Sequence, residues 1–249
     1  MFKTTKGLIL RETKYREADK ILTVLTEDEG KLTVSARGVM RGSSRIAAAC
    51  QLLTFSEMTL FENRGKWYVG EALSIEQFLG LRSGIAPLAL GTYFAELLEA
   101  VSDEDSPNPE VLRLGLNSLF ALSQGRYPPE HIKAVFELRL MCLSGYEPAL
   151  GACPVCGSGS PEAPVFSVAG GTALCGACRG GEYGGAYPLD GAALSAMRHI
   201  AGAESRKIFS FTLDGTSAEL LCACCEAYVR AQLERRFAAL DYWKNVQDS

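Results

Sequence analysis

The sequence predicts a multidomain α+β protein, and three observations carry that expectation. Short β-type runs fill the first 80 residues, the apolar period turns helical after Ser83, and two Cys-x-x-Cys pairs interrupt the helical part between Cys153 and Cys178. The expected organisation is a five-stranded barrel over 1–80, a helical body over 81–150 and 183–249, and a four-cysteine module over 151–182 inserted between its two parts.

The runs GLILRE, KILTVLT, KLTVSAR, LLTFSEMTLF and KWYVGEA are rich in Val, Ile, Leu, Thr and aromatics. Turn or charged stretches such as EDEGK and ENRGK separate them, and Gly30 and Gly65 offer the positive φ that tight hairpins need. Five strands in so short a segment suggest an OB-type barrel, a frequent platform for single-stranded nucleic acid.

Pro87 can open a helix over LALGTYFAELLEAV. Asn108, followed by Pro109 and Glu110, reads as an N-cap with Pro in the first helical position, leading VLRLGLNSLFALSQ to a stop at Gly125. Pro128 and Pro129 start a third helix, HIKAVFELRLMCLS, which Gly145 ends. Apolar positions three and four apart give each helix one face to bury. After the cysteines, Asp190 caps DGAALSAMRHIAGA, and Thr216 with Glu219 is read as a capping box for one long helix, AELLCACCEAYVRAQLERRFAAL.

Cys153, Cys156, Cys175 and Cys178 form two pairs on tight turns, each able to aim two sulfurs at one point. Gly157 and Gly176 suit the backbone such turns demand. A redox role lacks the expected βαβ neighbourhood, a disulfide pair is uncommon in a reducing compartment, and iron–sulfur clusters usually gather three of their cysteines more closely. Structural zinc with no open coordination position is the favoured reading, with disulfides or bare thiols as the alternative. Cys222, Cys224 and Cys225 lie within a helical pattern and are read, with Cys50 and Cys142, as packing residues.

The absence of a signal-type leader or long apolar run points to the cytoplasm. The formal net charge of -4 hides a division: residues 1–46 carry ten Lys or Arg against six Asp or Glu, and residues 83–249 carry twelve against nineteen. No phosphate loop, dinucleotide fingerprint or nucleophile elbow is present, and His131 and His199 have no catalytic company in the sequence, so no enzyme is expected. The run Asp103, Glu104, Asp105 reads as a solvated loop.

Taken in order, GLILRETKYREADKILTVLTEDEGKLTVSARGVMRGSS, FELRLMCLSGYEPALGACPVCG and AYVRAQLERRFAAL resemble the RecO family of bacterial DNA repair and recombination mediators. The resemblance implies an N-terminal OB domain, a helical body with a four-cysteine zinc module, and binding of single- and double-stranded DNA. It also implies ATP-independent annealing of complementary strands and loading of recombinase, with RecR, onto strands covered by single-strand-binding protein. A metal-stabilised interaction module without a DNA role, and a nuclease with dispersed carboxylates, are the alternatives.

The expected DNA contacts are Lys14 and Arg16 in the first loop and Arg37, Arg41 and Arg45 in SARGVMRGSSR, where Gly38 and Gly42 leave the backbone open to phosphates. The resemblance further implies that the helical body receives the acidic C-terminal tail of single-strand-binding protein. A rim of Arg113, Lys133, Arg139 and Arg198 is the expected complement. RecR is expected near the barrel.

Overall fold

Five strands open this computed structural model, which describes residues 2–180, 183 and 185–247; burial alternates over 31–36 and 56–60 and is continuous over 7–10 and 22–26. The strands are β1 (Phe2–Tyr15), β2 (Asp19–Thr26), β3 (Lys31–Ala36), β4 (Phe55–Asn63) and β5 (Lys66–Glu76). They close into a barrel in the order β1-β2-β3-β5-β4. Every pairing is antiparallel except β3 with β5, where Val34 faces Trp67 and Ser35 faces Tyr68. Alternate residues Leu22 and Val24, Leu32 and Val34, and Met58 and Leu60 point inward, and Cys50 from the β3–β4 connection joins them. Each such burial contributes about 1.5–3 kcal/mol, so register is strongly fixed: a one-residue slip would turn these side chains outward.

Six α-helices follow among the described residues: α1 (Ile85–Val101), α2 (Pro109–Gln124), α3 (Pro129–Leu143), α4 (Gly191–Gly202), α5 (Gly215–Leu233) and α6 (Ala238–Gln247). The chain divides into two compact units, Met1–Gly125 with Phe237–Ser249, and Arg126–Arg236. The division by compactness therefore does not fall at the barrel boundary expected near residue 80. Helices α1, α2 and α6 belong with the barrel, and α3, α4 and α5 belong with the cysteine module.

In the first unit, α1 packs on β1, α2 and α6, burying Leu90, Tyr93, Phe94, Leu97 and Leu98. Asn108 caps α2 by accepting from the Val111 amide, and Gly125 ends it in the left-handed region. Gly30, with φ +68, sits where any Cβ would lie 2.6 Å from the Asp103 carbonyl oxygen. The segment after α1 is thus seated tightly on the β2–β3 turn, tied by the Lys31 amide donating to Asp103.

In the second unit, β6 (Val165–Ser167), β7 (Thr172–Leu174) and β8 (Tyr187–Pro188) form a small sheet in the order β7-β6-β8. Its Phe166 ring meets Tyr228 of α5 edge-on at 5.1 Å. Asp190 caps α4 through the Ala193 amide, as the sequence indicates.

Two helical expectations are corrected. The cap of α5 is Asp214, which accepts from the Ser217 amide, and not the Thr216–Glu219 box; the helix begins two residues earlier than that box requires. The expected single long helix also stops at Leu233, with Glu234 left-handed at φ 49, and resumes as α6. The break lets Phe237 bury its ring edge-on against Tyr93 at 5.6 Å.

Helix α3 departs from the one-faced pattern: Ile132 through Leu138 are all buried. That burial includes Lys133, whose ammonium lies 2.9 Å from Glu137 and 3.0 Å from Glu226. Burial alone would push the lysine down, but the two carboxylates outweigh it and hold the group well above its ordinary range. Lys133→Ala strands those carboxylates in the interior, and chemical denaturation is expected to show a loss of about 3–5 kcal/mol. Lys133→Met combined with Glu137→Leu, which removes charge from both sides, is expected to recover most of that loss.

Candidate nucleic-acid cleft and metal centre

Closure of the barrel creates a cleft of about 680 Å³ where the β1–β2 turn, β3 and the start of β5 meet. Arg16, Lys31, Arg37 and Lys66 line it with Tyr15, Trp67 and Tyr68, and Asp19, Glu104 and Asp105 stand on its wall. The parallel pairing of Ser35 with Tyr68 places the residue just past β3 over the tyrosine, and the Arg37 guanidinium lies 4.1 Å from that ring. Arg16 holds φ +56 in the turn, with its guanidinium 5.2 Å from the Tyr15 ring. The Gly38 amide donates to the Asp19 carboxylate at 2.7 Å, fixing where the chain leaves β3.

Of the five expected DNA contacts, Arg16 and Arg37 line this cleft, whereas Lys14, Arg41 and Arg45 are exposed and do not. Lys66, Trp67 and Tyr68 also line the cleft, although KWYVGEA reads only as a strand. The available signal was a basic residue and two adjacent aromatics directly after the Arg64–Gly65 turn. The acidic run is exposed, as a solvated loop would be, and Glu104 and Asp105 stand on the cleft wall.

The four module cysteines converge: their sulfurs all lie within 4.8 Å of one another, and Cys156 and Cys175 approach to 3.6 Å. A tetrahedral ion with metal–sulfur bonds of about 2.3 Å requires sulfur–sulfur edges of about 3.8 Å, so the donor set fits such an ion. The first knuckle closes through the Gly157 amide donating to the Cys153 carbonyl at 2.8 Å, with Gly157 at φ +75. At the second, a Cβ on Gly176 would lie 2.7 Å from the Ala163 carbonyl oxygen. Both glycines therefore answer a backbone demand. Backbone amides of Cys156 and Cys175 hold the Cys153 thiol down to about 6, while burial and contact with Cys156 push Cys178 up to about 12. A bound cation would supply the positive charge that favours the thiolate form of all four.

Arg198 of α4 braces this module. Its Nε donates to the Leu150 carbonyl at 2.7 Å, and Nη2 donates to Gly151 at 2.7 Å and Gly159 at 3.2 Å, spanning the first knuckle from both sides. Arg139 donates to the Ile200 and Ala201 carbonyls at the end of α4. Arg113 belongs to the other compact unit and pairs with Glu110 at 2.7 Å. Of the expected basic rim of Arg113, Lys133, Arg139 and Arg198, Lys133 is buried in an ion cluster, and Arg139 and Arg198 donate to backbone carbonyls.

Among the remaining cysteines, Cys224 and Cys225 are buried, and burial raises both thiols, Cys224 to about 12. These are packing positions. His131 stacks on Tyr127 and sits 4.4 Å from the Phe211 ring, which His199 meets at 5.4 Å, so both histidines help clamp the α4–α5 connection. No helix among the described residues is long and apolar enough to cross a membrane.

An OB-type barrel with a cationic aromatic cleft, a set of helices and a four-thiol knuckle defines the class of the protein. The N-terminal model of recombination protein O matches residues 1–78, and the C-terminal model of the same protein matches residues 82–241. The DNA repair protein RecO of Acetivibrio thermocellus is 32% identical over 245 residues, covering 97% of this chain and 96% of the relative. That of Symbiobacterium thermophilum is 32% identical over 250 residues, covering 98% and 97%. A Listeria monocytogenes relative of the same name is 34% identical over 152 residues, 61% of this chain and 59% of its own. The chain belongs to the RecO family.

Purified protein is expected to carry one metal ion per chain, which elemental analysis measures. Cys175→Ser is expected to abolish retention and lower thermal stability. Recovery of metal-free protein with two disulfides would refute the assignment.

Proposed function

We propose that the chain is a non-enzymatic DNA repair and recombination mediator of the cytoplasm. It binds single- and double-stranded DNA on its barrel, anneals complementary strands without ATP, and acts with RecR to load recombinase onto strands covered by single-strand-binding protein. The observation that carries this reading is the cleft in which Arg37 lies over Tyr68 beside Arg16, Lys66 and Trp67, in a chain that belongs to the RecO family. Guanidinium and ammonium groups neutralise phosphates, and flat rings beside them accept bases without regard to sequence. Neutralising two strands at once removes the repulsion that opposes their pairing, so annealing needs no phosphoryl transfer, in keeping with the missing phosphate loop.

The thiolate set holds structural zinc in this reading. Four thiolates around a redox-inert ion leave no position for an activated water, so the ion's contribution is to folding. The partners are RecR and the C-terminal tail of single-strand-binding protein. Family membership supports both, and the four arginine and lysine positions discussed above do not localise either contact.

Gel-shift titration against salt, together with strand annealing in the presence and absence of single-strand-binding protein, tests the reading. Arg16→Glu with Arg37→Glu is expected to weaken binding more than about tenfold at low salt, and to reduce the slope of log affinity against log salt by about 1–2. Arg41→Glu with Arg45→Glu, outside the cleft, is expected to cost less. Salt-independent binding, or equal effects of the two pairs, would place the DNA elsewhere.

A further inference from the structure

We infer that Arg198 is a positioning residue for the metal centre: its guanidinium holds the Cys153 and Cys156 half of the thiol set in place and so sets how tightly the chain holds its ion. The inference rests on the metal reading above and deepens it by naming a residue outside the ligand set that governs affinity.

The two knuckles are supported differently. The second follows directly on β7, all of whose residues are buried, and the Gly176 amide donates to the Glu162 carbonyl at 3.1 Å. Sheet and backbone therefore place Cys175 and Cys178. The chain that enters the first knuckle is tied to the sheet at Ala149, whose amide donates to Gly171 and whose carbonyl accepts from Ala173. From Gly151 to Ser160, however, only Cys153 is buried and only Ser158 half-buried. A Cβ on Gly151 or on Gly159 would meet nothing within 4 Å, so side-chain packing does not hold the two ends of this loop together. Inside it, the Cys153 amide donates to Ser158 and the Gly157 amide to Cys153, each at 2.8 Å. Those bonds shape the turn without fixing where it lies relative to the other pair.

Arg198 supplies what the loop lacks. Its Nη2 bonds to the Gly151 and Gly159 carbonyls draw the incoming and outgoing chain together, and its Nε bond to Leu150 sets the pair against α4. The arginine projects from a fixed base, since Leu194, Met197 and Ile200 of α4 are buried and Arg139 holds the carbonyls at the end of that helix. The closest approach between the two halves is that of the Cys156 and Cys175 sulfurs, so a loop free to shift would open the thiol set there first. Donors that are already placed bind an ion without a further loss of conformational freedom, whereas donors that must be ordered pay it on binding. Groups that orient ligands from outside the ligand set typically account for about 10–100-fold in metal affinity.

Competition between the full chain and a chromophoric chelator for zinc measures the affinity. Arg198→Ala is expected to weaken zinc binding by about tenfold or more, and Arg198→Lys, whose ammonium reaches fewer of the carbonyls at once, to regain only part of that loss. Arg139→Ala removes contacts at the far end of α4 without touching the knuckle, and is expected to change zinc affinity by less than about twofold. Cobalt-loaded Arg198→Ala at saturating metal is expected to keep the absorption of a four-thiolate site, because no ligand has been removed. Arg198 is exposed, so its variants leave the core intact, and circular dichroism reports that each is folded. An equal loss in Arg139→Ala would overturn the positioning role, since the effect would then be a general loosening of α4. So would a cobalt spectrum of fewer thiolates at saturation, which would make the arginine a condition of the ligand set itself. If wild type and Arg198→Ala hold zinc equally well, only the positioning role falls; if the wild-type chain takes up no zinc, the metal reading falls with it.

Discussion

Closure of the barrel by the parallel pairing of β3 with β5 is the constraint on which the first unit depends. Val34 opposite Trp67 and Ser35 opposite Tyr68 bring together strands separated in sequence by the whole of β4 and its preceding connection. The pairing is short, yet it sets where β3 ends relative to β5, and so where Arg37 falls. Shift that register by one residue and Tyr68 turns inward, because strand side chains alternate faces. The interior packing of Leu22, Val24, Met58 and Leu60 therefore also fixes the cleft, and the cleft chemistry is a consequence of core packing at a distance.

The second unit solves a different problem. Its module has a small core, in which Val165 and Leu174 pack with Cys153 and Cys175, and three short strands bury too little apolar surface to hold two knuckles in register. Two devices compensate. One is the convergence of four thiols around a common centre, and the other is Arg198, which satisfies three carbonyls on either side of the first knuckle. A guanidinium suits this task because its donors lie in one rigid plane and reach several acceptors at once, which an ammonium at the same position would not do.

What was legible in the sequence was local. Asn108 with Pro109, Asp190 before α4, and the paired cysteines each act through neighbours within a few residues, so their roles follow from spacing alone. What was not legible depended on partners far along the chain. The interruption at Glu234 is decided by burial of Phe237 against Tyr93, and no residue near the break announces it. Lys133 sits in a helix buried all round, and its ion cluster draws Glu226 from α5, so helical periodicity assigned it to a surface it does not have. Lys66, Trp67 and Tyr68 gain their meaning only when the barrel closes.

The carboxylates on the cleft wall bear on how such a site would work. Asp19 is spent on the Gly38 amide, but Glu104 and Asp105 stand at the rim on a segment that bridges to Gly30. Fixed negative charge beside Arg16, Arg37 and Lys66 opposes phosphates at one side of the cleft and lowers the affinity that the cations alone would give. For a protein whose proposed task ends in handing over a paired duplex, that opposition is useful: a strand held by every available cation would be released slowly, and each turnover would stall on its product. A cleft that mixes signs holds DNA through fewer phosphates and leans more on base contacts. Pairing would remove those contacts, so under the proposed function binding would weaken at the step where release is needed.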